Sequence, residues 1–329
     1  MSGLSEVPRS MPGRPLRRQE FSDSLFERAL ARFGGWQMSL TPGQRASDLI
    51  EIRDAGGVVV HRTDGAPLGS DEADVFTWVL ARWARGGLSE DGVLKTTLYE
   101  IVKAMNGERR LGGRDYDAVA KAINNLYRAS ITVSDFSEGG MPQSGDASPS
   151  LFSDRRLIVQ IDYGEHLRKL RAGEDVAAQL VGGMRDETLV IHVAPWLVKR
   201  LREENRRVWM DFAVQRKLGA GMGKRLYVYV EAYPGFEPVP DREHLEQALI
   251  ELTDLVYAEL GARCKERWDN RKAVRRGLAR LLEIDPNYVG GEDGEDGEDG
   301  SELFVGQGGS PDLLRVVRRR RTATLPLAA

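Results

Sequence analysis

Cysteine is all but missing from this chain: Cys264 is the single one in 329 residues. One thiol excludes an internal disulfide framework and leaves no partner for a cysteine-based zinc site. Long apolar runs are missing as well, since no stretch approaches the roughly 20 residues that cross a bilayer. Histidine is scarce. His61, His166, His192 and His244 are scattered, with no two at metal-ligand spacing. No Ser, His and Asp constellation can be assembled for nucleophilic catalysis. The sequence is therefore read as non-enzymatic, with no metal and no cofactor.

Two stretches invite chemistry and fail on detail. "GAGMGKRL" places glycines around Lys224, as a phosphate loop does, but Leu218 stands where the first glycine is required and Arg225 replaces the hydroxyl that holds magnesium. It reads as a glycine-rich turn before a helix. A tyrosine that nicks DNA needs two histidines flanking one hydrophobic residue to hold its metal. "VIHVAP" supplies only His192, so Tyr227, Tyr229 and Tyr233 read as core.

The chain does have the composition of a globular protein, 41% hydrophobic and 29% charged, with a net charge of −3. Its length suffices for two domains, each with its own core. The first twenty residues hold three prolines and four arginines without a hydrophobic period, so residues 1–40 read as a flexible arm with a short helix in "SLFERALARFGGW". The basic residues of the arm have no apolar core behind them, unlike a secretory signal, and the expected location is cytoplasmic.

"GGVVVHR" suggests a short strand. "SDEADVFTWVLARWARGG" is a helix, with Ser70 or Asp71 as its cap and Val75, Phe76, Val79, Leu80 and Trp83 along one face. "TTLYEIVKAMNG" is a second, announced by Thr97 and Glu100 at capping-box spacing and stopped by Gly107. A third runs through "GRDYDAVAKAINNLYRAS". Tyr116, Val119, Ala120, Ile123, Leu126 and Tyr127 share its inner face, and Arg114, Lys121, Asn124, Asn125 and Arg128 its outer one. "ITVSDF" and "RRLIVQIDY" then read as a hairpin. Three helices followed by two strands is the plan of a winged helix-turn-helix domain.

A similar order returns in the second half. "ETLVIHVAPWLVKRLREE" reads as a strand passing into a helix at Pro195; in "MGKRLYVYVEAY" Leu226, Val228 and Val230 alternate as in a strand while Leu226, Tyr229, Val230 and Tyr233 suit a helix, and the helix is preferred. Leu245, Leu249, Leu252, Leu255 and Val256 form a helical stripe, and "SELFVG" would pair with "LLRVVRRRR" as a final hairpin. The expected fold is α+β, mainly helical, with two winged helix-turn-helix domains in tandem. Their bounds are 41–165 and 187–329, joined by a linker at 166–186. An acidic loop at 290–301, three near-copies of Gly-Glu-Asp, is too polar and glycine-rich to fold.

The charge is concentrated in one place. Arg263 to Arg280 carries eight positive and two negative side chains in a chain that is acidic overall. On a helical wheel Val274, Leu278 and Leu281 share one side, while Lys265, Asp269, Lys272, Arg276 and Arg280 occupy the other. Like charges at these spacings repel by a few tenths of a kcal/mol per pair, a cost that an extended anion relieves. Double-stranded DNA is such an anion, and neutralising its phosphates makes affinity steeply salt-dependent. Asn270 could bond an adenine edge, and Arg318 and Arg320 in the last strand could reach flanking phosphates.

The run "GGVVVHRTDGAPLGSDEADVFTWVLARW", with "TLYEIVKAM", "YDAVAKAINNLYRASITV", "HVAPWLVKRL" and "GKRLYVYVEAY", resembles the replication initiator proteins of plasmids, in particular the replication initiator protein A group. The resemblance implies two winged-helix domains that bind repeated double-stranded DNA sites at an origin. It also implies recruitment of host initiator and helicase-loading proteins, and forms that include a homodimer. It makes "GRDYDAVAKAINNLYRAS" and "NRKAVRRGLARLL" the recognition helices. Two other readings stay open: a transcriptional regulator of the same fold, and a protein-interaction module whose basic helix meets an acidic partner.

Overall fold

The computed structural model describes residues 23–33, 36, 38, 51–53, 59–64, 68–107, 109–134, 151–164, 168–169, 187–233, 235–239, 244–252, 267–290, 300–307 and 310–319. The chain is mixed α/β, its helices packed against small antiparallel sheets.

It enters as strand β1 (Asp23–Glu27), followed by the short helix α1 (Arg28–Phe33). The helix expected over "SLFERALARFGGW" thus begins later than its periodicity suggests. Ser24, Leu25, Phe26 and Glu27 are all buried, so both sides of this segment are covered, which suits an extended chain better than an amphipathic helix. Strands β2 (Glu51–Arg53) and β3 (Val59–Asp64) precede helix α2 (Ser70–Arg85). The cap of α2 is Gly69, not Ser70 or Asp71: the Glu72 carboxylate accepts the Gly69 N–H at 2.8 Å.

Strand β4 (Val93–Thr97) runs into helix α3 (Leu98–Asn106), where the Thr97 hydroxyl accepts the Glu100 N–H at 3.1 Å, as the capping spacing predicts. Helix α4 (Gly113–Arg128) follows, with the expected apolar residues inward: Tyr116, Val119, Ala120, Ile123, Leu126 and Tyr127 are all buried.

The expected hairpin after α4 divides between two sheets. Strand β5 (Ser130–Ser134) pairs with β6 (Leu151–Arg156), and β3 and β2 complete that sheet. At Leu157 the chain changes partners, and β7 (Ile158–Tyr163) pairs with the short β8 (Arg168–Lys169) and with β9 (Thr188–Val193). Ile158 and Ile161 of β7 are fully buried, and the strand packs under α4. The order of this sheet is β4–β9–β7–β8. Strand 188–193, expected to open the second domain, therefore belongs to the sheet of the first half. Its buried Leu189, Ile191 and Val193 find their partners there, so the expected bounds at 165 and 187 run through one sheet.

Helix α5 (Pro195–Arg202) starts at its proline as expected, and β10 (Arg207–Asp211) pairs with β1. Helices α6 (Phe212–Leu218) and α7 (Met222–Glu231) follow. The glycines between them have backbone roles: Gly219 (φ 64°) ends α6 and Gly221 (φ 155°) precedes α7, conformations that a side chain disfavours. Tyr227 and Tyr229 are buried, as the core reading predicts.

After β11 (Glu237–Pro238), the part of the leucine stripe at Leu245, Leu249 and Leu252, expected to be helical, is the strand β12 (Leu245–Leu252), and Leu255 and Val256 lie outside the described residues. Ala248, Ile250 and Leu252 face the core while Leu249 is 52% exposed, so the operative period is two. Helix α8 (Arg267–Ile284) is succeeded by β13 (Glu302–Phe304) and β14 (Asp312–Arg319), which pair as the sequence predicts. The sheet order is β11–β12–β14–β13. Most of the acidic Gly-Glu-Asp segment lies outside the described residues.

The two halves share one plan. Each has a buried helix (α2; α7), a strand (β4; β12), a helix with a cationic outer face (α4; α8) and two closing strands (β7 and β9; β13 and β14). In both sheets these three strands lie in the order first, third, second. A single hydrophobic core runs through both halves, and the Phe26, Trp36 and Phe76 rings meet in it at centroid distances of 5.3 to 6.3 Å.

Candidate nucleic-acid interface

The turn between α3 and α4 is built by local polar contacts. Asp115 accepts the Gly112 N–H at 2.8 Å, and Arg109 bridges Asn106 and Asp115. These contacts and the buried apolar face set the roll of α4, leaving Arg114, Lys121 and Arg128 exposed together with Asp117. Asn125 is a correction. It is buried, and its amide donates to Glu72 Oε1 at 2.8 Å, so it braces α4 against α2. Asn124 is half-buried, and its carbonyl oxygen is covered without a hydrogen-bond partner among the described residues.

Helix α8 buries Val274, Leu278 and Leu281, and exposes Lys272, Arg276 and Arg280 as the wheel predicts, with Arg275 beside them. Arg280 shares its charge with Glu283, one turn on, at 2.6 Å. Such an exposed pair is worth at most about 1 kcal/mol and yields to a better anion. Asn270 is buried, which removes it from the set that could reach a base. Lys265 lies outside the described residues.

One residue that sequence reasoning missed aims this helix. Arg271 donates twice to the fully buried Asp312, both bonds at 2.9 Å, and Asp312 also accepts the Gly306 N–H at 2.9 Å. A two-pronged guanidinium–carboxylate bond is directional, so it ties the start of α8 to the turn between β13 and β14. The signal was there to find: Arg271 precedes Val274 by three and Leu278 by seven, which puts it on the inner face.

Arg318 is also turned inward. Its guanidinium bonds Glu231 at 3.2 Å and Glu246 at 3.1 Å and lies 3.7 Å from the centre of the Phe236 ring. Its side chain is 17% exposed, whereas the neighbouring Arg319 is exposed. Arg320 lies outside the described residues.

The would-be phosphate loop has another use. Lys224 is fully buried, with its ammonium on Ser70 and Asp74. Desolvation presses its pKa below the ordinary lysine value, and Asp74 opposes the shift. His192 stands 2.9 Å from Asp162 across the first sheet. Among the described residues no group of His, Cys, Asp and Glu suits a metal, and no helix is long and apolar enough to cross a membrane.

No protein-family model matches the sequence, and no curated protein matches it. Solved structures do match. The chain is similar in fold to domains 2 and 3 of RctB. That crystal structure superposes with a TM-score of 0.50 at 13% identity, over 89% of this chain and 98% of the other. A second crystal structure of RctB domains 2–3 gives 0.44 at 13% identity, over 86% and 95%. The Pi initiator protein, solved in complex with iteron DNA, gives 0.42 at 10% identity, over 82% and 99%. The RctB likeness spans both halves of this chain, so the plan repeated in the two halves is shared as a whole.

Proposed function

We propose that the chain is a plasmid-type DNA replication initiator and that its two halves are winged-helix domains. On this reading α4 and α8 are the recognition helices, and the hairpins β7–β9 and β13–β14 are the wings. The observation that carries the reading is that the helix preceding the closing hairpin has an apolar face sealed in the core and a cationic face in solvent, in both halves. A helix so placed can enter a major groove while its hairpin lies beside it.

Arg114, Lys121 and Arg128 face one groove segment, and Lys272, Arg275, Arg276 and Arg280 another, about one helical turn or roughly 34 Å further along. Sequence is read by the arginines that reach guanine O6 and N7, and the remaining cations neutralise phosphates. The sites are repeats at an origin, and the bound protein recruits host initiation and helicase-loading proteins.

The resemblance in sequence and the RctB-like fold support this reading over an interaction module for an acidic protein, which predicts protection of no DNA. Selection of bound fragments from a random pool, followed by footprinting on the plasmid, tests it. Repeats in one orientation beside an A·T-rich stretch are the expected result. A single promoter palindrome would replace initiation by transcriptional regulation, and no enrichment at all would overturn DNA binding.

A further inference from the structure

The joint between the halves contains a fully buried polar cluster. Asp74 of α2 is fully buried, and among the described residues its carboxylate is bound from the other half. Lys224 of α7 reaches both oxygens at 2.8 Å, Gln215 of α6 donates at 2.8 Å, and Arg216 adds a bond from the rim. The contacts run back as well. Lys224 donates to Ser70 of α2 at 2.6 Å, and Gln215 to Thr77 at 3.2 Å, while Gln215 accepts from Ser24 of β1 at 2.7 Å.

We propose that Asp74, Lys224 and Gln215 are positioning residues that hold the two halves in one relative orientation, and so restrict the protein to one spacing between paired DNA half-sites. The proposal rests on the DNA-binding reading above.

Apolar contact is non-directional and tolerates rotation of one surface over another. A buried ionic cluster is different, because it is satisfied in one geometry and any slippage leaves an unpaired charge in a medium of low dielectric. The orientation held at α2 and α7 passes to both cationic helices. α4 packs on α2 and is braced to it through Asn125 and Glu72. α8 crosses α7 so closely that a Cβ on Gly223 would stand 3.2 Å from the Gly277 carbonyl oxygen. Two linked modules gain about 10²–10⁴-fold in affinity when both engage, and nothing when geometry forbids it.

The experiment uses the full chain with Lys224→Met, and Gln215→Met as a second variant that leaves every charge in place. Affinity is measured for selected fragments whose two half-sites are moved apart in single base-pair steps. The parent is expected to lose on the order of a hundredfold when the second half-site moves about 5 base pairs, half of the roughly 10 in a turn. The variants are expected to lose less than about tenfold, with affinity for an isolated half-site unchanged. Independently of DNA, nitroxides on Asp117→Cys and Arg275→Cys in a Cys264→Ser background should report one distance in the parent and a broad distribution in the variants. Folded variants that keep the sharp spacing profile overturn the proposal, and so does a flat profile in the parent. A parent that selects no DNA overturns the functional reading and the spacing claim with it, whatever the nitroxide distances.

Discussion

Gly277 sits in the middle of α8, where general helix propensity and this structure make opposite predictions. Replacing a helical glycine by alanine gains about 0.8–1.0 kcal/mol when nothing else changes. Here a Cβ would stand 2.8 Å from Met222 Cγ and 2.9 Å from both the Gly223 nitrogen and the Met222 carbonyl carbon. Ordinary contacts of this kind begin at about 3.5 Å. Two of the three atoms are backbone and cannot rotate away, so α8 must back off α7 by roughly 0.6 Å to restore that separation. Overpacking of this sort costs about 1–3 kcal/mol, which outweighs the propensity gain. Gly277→Ala is therefore expected to lose up to about 2 kcal/mol, and Gly277→Val more. Gly113, at the start of α4, is the control, because a Cβ there meets nothing within 4 Å. Gly113→Ala should be neutral or gain up to about 1 kcal/mol. Urea unfolding of the three proteins measures the difference. A Gly277→Ala protein as stable as Gly113→Ala would refute the close crossing, and with it the path by which α7 sets the position of the basic ridge.

Three further expectations follow from the same geometry. Arg276→Ala should weaken specific DNA binding by about 1–3 kcal/mol if the side chain reads a base, or lower the salt slope by about 1 if it meets a phosphate; a variant equal to the parent in both would remove Arg276 from the interface. Arg318→Ala should cost about 3–5 kcal/mol of stability, because Glu231 and Glu246 lose their shared cation, and should spare DNA affinity in whatever folds; the reverse pattern, normal stability with lost binding, would restore it to the interface. Burial, reinforced by Glu231, holds the Tyr288 phenol protonated well above its ordinary pKa of 10.0. The unfolded chain therefore releases that proton first, and the stability tied to it is full below pH 10.0 and declines above it. Urea midpoints followed through the alkaline range should fall less steeply for Tyr288→Phe than for the parent, and parallel curves would contradict the assignment.

The inner and outer faces of α4 and α8 were legible in the sequence because each follows from spacing within a few turns. Val274, Leu278 and Leu281 had to share a side whatever the rest of the chain did. The same local logic placed the Thr97 cap, the start of α5 at Pro195 and the pairing of β13 with β14. It could not tell that Asn125 and Asn270, polar and suitably spaced, are covered by neighbours from elsewhere, nor that Arg318 is claimed by two glutamates far away in the chain.

Strand partners escaped for the same reason. "LEQALIEL" fits a helical stripe and a two-residue alternation alike, and β14, more than sixty residues on, decided for the strand. Nor could local spacing tell that β9 pairs with β4, a segment about ninety residues earlier. What the sequence determined by itself was where charge and apolar surface lie on each helix, which is a matter of local period. What only the tertiary structure decided was which polar groups remain in solvent and how the two halves are joined, because burial is conferred by residues distant along the chain.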